Sequence, residues 1–151
     1  LFKPAMIDKG EGGVINIGSS ASFLPVPYAS VYSSTKAYVL MLSEALRDEY
    51  ASSNVRVIAS FAGATNSNCR NTASEKSCER LKQRISKLKG DGQVGDTCER
   101  VSQETLDAFL QNKHYIVPGK GNSKFAFLPR ILSRAKVLKF TGDAFKKHTA
   151  S

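Results

Sequence analysis

Residues 12–50 read GGVINIGSSASFLPVPYASVYSSTKAYVLMLSEALRDEY. Gly12 and Gly13 lead into Val14-Ile15-Asn16-Ile17, a short β-branched run closed by Gly18 and Ser19, which predicts a buried strand. Pro25 and Pro27 forbid both a regular helix and a central strand, so residues 19–30 predict a loop. From Ser30 to Ala51 the period becomes helical, with Val39, Leu42, Leu46 and Tyr50 on one stripe. Val55 to Phe61 (VRVIASF) is the next strand. A strand, a helix and a second strand in this order predict a right-handed parallel crossover and an α/β fold.

The flanking segments extend this unit. LFKPAMIDKG (residues 1–10) places Leu1, Phe2, Met6 and Ile7 at helical spacing with no capping residue before them, and reads as the end of a helix. Residues 62–72 (AGATNSNCRNT) form a polar, small-residue loop after a strand's carboxyl end, where open α/β sheets bind ligands. A charged, exposed helix is predicted over 75–89, another over 97–110, and a strand at Tyr115-Ile116-Val117. In the basic segment that follows, Pro129 is expected at a first helical position, ahead of an apolar stripe of Ile131, Leu132, Ala135 and Leu138. Between Ala37 and Leu42 the central helix is apolar nearly all round, so it needs a partner besides its own sheet.

Composition narrows the classes of function. Apolar residues make up 41% of the 151 and charged residues 23%, as in an ordinary globular domain. The longest apolar stretch, Ala37 to Leu42, is far below the roughly 20 residues of a membrane span. With no secretory signal visible, the cytoplasm is the expected location. Cys69, Cys78 and Cys98 are odd in number and widely spaced, and suggest neither a metal site nor a disulfide framework. His114 and His148 stand alone and receive no role. The net charge of +9 is concentrated in residues 120–151, where eight cations face one acid, Asp143. Such a segment is commonly a solvated face, and peripheral contact with a membrane is its main alternative. No recognition helix or basic strand interleaved with aromatics points to nucleic acid.

Chemistry concentrates in YASVYSSTKA, residues 28–37. Tyr32 has Lys36 four residues on, which places both side chains on one helix face, one turn apart. A phenol is a poor proton donor or acceptor at neutral pH, and a neighbouring ammonium stabilises its phenolate. Tyr32 could thus exchange a proton with a substrate oxygen. Tyr28 is expected to line the pocket or to pack. An isolated Tyr-x-x-x-Lys is often no more than an exposed helical pair. Here Ser19, Ser20 and Ser22 follow one parallel strand, residues 62–67 follow the adjacent one, and Tyr32 opens the helix between them.

Residues 12–50 resemble the central signature of the short-chain dehydrogenase/reductase family, a strand ending in Asn-Ile-Ser-Ser, a loop, then Tyr-x-x-x-Lys on a helix. The finer similarity is to the hydroxysteroid and 3-oxoacyl reductase branch. The resemblance implies the C-terminal part of a Rossmann-like, doubly wound parallel sheet, whose N-terminal dinucleotide-binding half is not in this chain. Residues 1–119 would be the catalytic half and residues 120–151 a basic amphipathic tail. It further implies an oxidoreductase using NAD or NADP on a small-molecule carbonyl or secondary alcohol, with this fragment expected to be inactive alone and the full-length protein a homo-oligomer. Ser19 would hold and polarise the carbonyl, with Ser20 as a possible substitute. Tyr32 would donate or accept the proton, and Lys36 would support its phenolate and bind the nicotinamide ribose. Gly63, Thr65 and Ser67 match positions that hold the nicotinamide amide and the phosphates, and Ala62 stands where the family has proline. An isomerase or dehydratase of the extended family uses the same Tyr and Lys and is one alternative. A non-catalytic remnant or membrane-surface module is another.

Overall fold

The computed structural model describes residues 3–68, 72 and 95–147. Helix α1 (Lys3–Lys9) stops at Gly10, whose φ of +69° turns the chain into strand β1 (Gly12–Ile17). Residues Ser20–Phe23 make a 3-10 turn, helix α2 (Ser30–Glu49) crosses the sheet, and strand β2 (Val55–Ser60) returns. Two short strands, β3 (Thr65–Asn66) and β4 (Asp96–Thr97), precede helix α3 (Cys98–Leu110) and strand β5 (Tyr115–Ile116). Helices α4 (Ser123–Ile131) and α5 (Arg134–Lys147) complete the described chain. The helix expected over 75–89, with Cys69, Cys78 and His148, lies outside the described residues.

The sheet order is β1-β2-β5, all parallel. Register runs from Gly12 opposite Val55 to Ile17 opposite Ser60, and β5 pairs Tyr115 with Ala59 and Ile116 with Ser60. The period-two alternation of strands assigns the two faces. On one face Val14, Val57 and Val55 meet Met6 of α1 and Leu46 of α2 beside Tyr50. On the other, Ser60 shares a 2.7 Å hydrogen bond with Thr105 of α3. Thr105 itself donates to Val101 O, so Ser60 is the donor. Phe109 of α3 lies so close to Gly13 that a Cβ there would run into its ring. With helices on both faces, β2 is the core: Val57, Ile58, Ala59 and Ser60 are each 1% exposed and Phe61 is fully buried.

Three expectations change. Strand β1 is only half-buried and its Ile17 is exposed, because it pairs on one side only among the described residues. Pro129 is the seventh residue of α4, not its first. The chain leaves helical geometry at Leu132, whose N–H still donates to Leu128 O at 3.0 Å. The basic segment forms two helices, and Val137 of α5 is buried against Leu24 and Val26. The α2 face at Tyr38, Met41 and Leu42 is exposed. None of the described helices is long and apolar enough to cross a membrane.

Candidate active site

Beyond β1 the backbone keeps its pairing with β2: Gly18 N–H donates to Ser60 O at 2.8 Å and Ser20 N–H to Ala62 O at 2.9 Å. The serine segment is thereby pinned to the carboxyl end of the core strand. Ser19 is extended and caps the 3-10 turn, its Oγ accepting from Ala21 N–H at 3.2 Å. Ser22 completes this capping box by accepting from Ser19 N–H at 3.4 Å. Its own hydroxyl donates to the Lys36 carbonyl at 2.8 Å. One buried serine thus ties the strand end to the helix that carries the Tyr–Lys pair.

Tyr32 is the third residue of α2 and Lys36 lies one turn further on. The Lys36 Nζ sits 5.8 Å from the Tyr32 ring centroid and donates to Ile17 O at 3.3 Å. The ammonium therefore bridges the tyrosine and the carboxyl edge of β1. The Tyr32 side chain is half-exposed, so its hydroxyl is open to a ligand. Tyr28 neither packs nor lines this site: it is 63% exposed, and its φ of 67° lies in the left-handed region where the chain turns into α2. The expectation of a packing or pocket role for Tyr28 is corrected accordingly.

The loop after β2 is held by tertiary contacts. Asp96 N–H donates to Ala64 O at 3.0 Å, Thr65 Oγ1 to Gly63 O at 3.2 Å, and Ser67 N–H to Thr65 O at 2.9 Å. A Cβ on Gly63 would come within 2.6–2.7 Å of the Asn122 side chain, which would have to shift to admit it. Asn122 Nδ2 in turn donates to Pro118 O at 2.8 Å. Glu104 fixes the same corner, accepting from Gly119 N–H at 2.9 Å and from Arg100 Nε at 2.7 Å. The Gly119 N–H, then the Arg100 guanidinium, hold the Glu104 carboxyl below its usual range.

A cavity of about 230 Å³ opens beside Tyr32. Tyr32, Ser20 and Ala21 line one side, and Phe125, Phe140 and Ala144 of α4 and α5 the other. The structure thus brings Tyr32, Lys36, Ser19 and Ser20 to one sheet edge, with Gly63, Thr65 and Ser67 at the end of the neighbouring strand. Sequence reasoning placed Ser22 in the serine cluster without a role, and passed over Glu104, Asn122, Phe125 and Phe140. Nothing local in the sequence marks the last four, since each meets the site across the fold. A larger groove of about 860 Å³ runs between α2, past Ala37 and Met41, and the α4–α5 pair, past Arg130, Arg134 and Leu138, and does not include Tyr32.

The pattern of the short chain dehydrogenase family matches residues 1–78, half of the chain. The chain belongs to this family. A very-long-chain 3-oxoacyl-CoA reductase of Rattus norvegicus is 42% identical over 57 residues, which are 38% of this chain and 18% of the reductase. Among solved structures, a 7β-hydroxysteroid dehydrogenase superposes with a TM-score of 0.69 at 17% identity, over 93% of this chain and 50% of its own. A short chain dehydrogenase from Burkholderia cenocepacia, in complex with NADP, gives 0.65 at 20% identity over 91% and 53%. The chain spans about half the length of these solved short chain dehydrogenases, which share its fold.

Proposed function

We propose that this short chain dehydrogenase chain carries the proton-transfer machinery of an NAD- or NADP-dependent oxidoreductase that interconverts a carbonyl and a secondary alcohol. The observation that carries the reading is the Tyr32–Lys36 pair, one turn apart, with Lys36 bonded to the end of β1 and Tyr32 lining an apolar cavity. Ser19 accepts one hydrogen bond through a lone pair, which leaves its O–H to donate to the substrate carbonyl oxygen. Tyr32 gives its phenolic proton to that oxygen as negative charge develops there, and Lys36 stabilises the phenolate left behind. In the oxidative direction Tyr32 takes the proton back from the alcohol.

The donor set fits the nicotinamide and ribose end of the cofactor. Lys36 uses one of its three N–H donors on Ile17 O and has others for ribose hydroxyls. Gly63, Thr65 and Ser67 offer backbone and hydroxyl groups in the loop after β2. When bound, NADH or NADPH supplies the hydride. The aromatic and alkyl walls from Phe125, Phe140 and Ala144 suit a ketone borne on an apolar chain, and the similarity to a 3-oxoacyl-CoA reductase supports such a substrate. A second copy of the protein would cover the exposed Tyr38 and Met41 face of α2.

The test is reduction of 3-oxoacyl-CoA esters of graded chain length, with either cofactor, in the gene product as the cell makes it. Tyr32→Phe keeps the ring and removes the proton. Turnover is expected to fall by about 100-fold or more with cofactor affinity unchanged. Near-normal turnover in this variant would remove Tyr32 from the mechanism.

A further inference from the structure

We infer that α4 and α5 form a docking surface for an anionic lipid bilayer. On α4, Lys124, Phe127 and Ile131 follow helical spacing, with Arg130 beside them. Phe127 is 53% and Ile131 77% exposed. Neither is needed for the fold: α4 packs inward through Ala126, with Phe125 and Leu128 against the cluster of Leu24, Val26 and Val137. Helix α4 is therefore apolar on its outward side as well.

The charge on the two helices together selects the partner. Residues 123–142 contain five cations, Lys124, Arg130, Arg134, Lys136 and Lys139, and no acid. All five are exposed, and among the described residues none forms an ion pair. The Arg130 guanidinium lies 5.7 Å from the Phe127 ring centroid, so charge and apolar surface share one patch. Exposed apolar side chains with Arg130 beside them, on two helices whose exposed charges are otherwise cationic over residues 123–142, match the layering of an anionic membrane, whose hydrocarbon desolvates the apolar groups while headgroup phosphates and carboxylates meet the cations.

Two other occupants fit less well. A second copy docked isologously would set these cations against themselves across the two-fold axis, and the chain as a whole carries +9. Nucleic acid would satisfy the cations and leave Ile131 and Phe127 in water. The surface does not depend on the catalytic reading. Its two helices also supply Phe125 and Phe140 to the cavity beside Tyr32, from side chains other than Phe127 and Ile131.

The experiment is co-sedimentation of the gene product as the cell makes it with vesicles of neutral phosphatidylcholine, and with vesicles containing about 30% phosphatidylserine. Affinity for the anionic vesicles is expected to be at least about tenfold higher, and to weaken when salt is raised from about 0.1 M to about 0.5 M. Phe127→Ser with Ile131→Ser should cost about tenfold or more at both salt levels. Lys124→Glu with Arg130→Glu should abolish the preference for phosphatidylserine. These positions are exposed, so unchanged circular dichroism melts will show that the variants stay folded. Equal binding to both vesicle types, or full binding by the serine variant, overturns the inference. So does tighter binding to a duplex oligonucleotide, which would assign the cations to nucleic acid.

Discussion

Adding one methyl group at Gly18 should strain the core and the catalytic edge together. A Cβ at this position would overlap the Phe61 ring and lie 3.3 Å from Ser22 Oγ. The ring cannot give way, because Phe61 is fully buried and packs edge-on against Phe23 at 4.9 Å and Tyr115 at 5.9 Å between centroids. Overpacking of this kind costs about 1–3 kcal/mol. At about 2–4 °C per kcal/mol for a chain of this size, Tm should fall by roughly 2–12 °C. In the Asn-Ile-Ser-Ser pattern of the family Gly18 stands at the first serine, so here the aromatic ring takes the room that a side chain would use. Phe61→Leu removes that ring. In a Phe61→Leu background Gly18→Ala should therefore cost less than about 0.5 kcal/mol, giving a coupling of about 0.5–3 kcal/mol in a double-mutant cycle. Urea denaturation of the four proteins measures it. A single Gly18→Ala variant as stable as wild type, or a cycle with no coupling, would refute this account of the Gly18–Phe61 contact.

Glu104→Gln should loosen the Gly119 corner in a pH-dependent way. Because the folded state holds the Glu104 carboxyl below its usual range, the stability it contributes is present above the ordinary carboxylate pKa of about 4.3 and is lost as pH falls through the folded value. Denaturation curves of wild type and variant should thus differ at neutral pH and converge as the pH falls through the lowered folded value; a gap independent of pH would show that the charge is not responsible. Ser22→Ala removes the hydrogen bond to the Lys36 carbonyl. It should cost about 1 kcal/mol of stability and lower kcat with little change in KM, whereas a change in KM alone would place Ser22 in substrate binding instead. Ala37→Glu with Met41→Glu puts one charge on the exposed α2 face and one on its half-buried flank, and sedimentation should show a shift towards monomer in the gene product as the cell makes it; an unchanged oligomer would exclude this face from the interface.

The strand, helix and strand of residues 12–60 were legible in the sequence because each is decided locally. The β-branched runs at 14–17 and 55–58 favour extended chain, Pro25 and Pro27 break the connection, and the apolar stripe from Val39 to Tyr50 closes only at helical period. The Tyr32–Lys36 spacing has one meaning on a helix, so the pair was readable as soon as α2 was. Periodicity, however, reports that a face seeks burial and says nothing about what will cover it. That is why β1 read as a buried strand although it lies half-open, and why a proline seven residues into α4 read as a helix start. The contacts that shape the site join residues far apart in the chain: Ser22 with Lys36, Gly63 with Asn122, Glu104 with Gly119, and Thr141 with Pro25 O at 2.9 Å across 116 positions. Each depends on a polar group meeting one complementary atom once the sheet has formed. The tertiary structure alone decided that α4 and α5 fold back to wall the cavity beside Tyr32. Burying Val137 against Leu24 and Val26 holds them there, and no local pattern encodes that choice of partner.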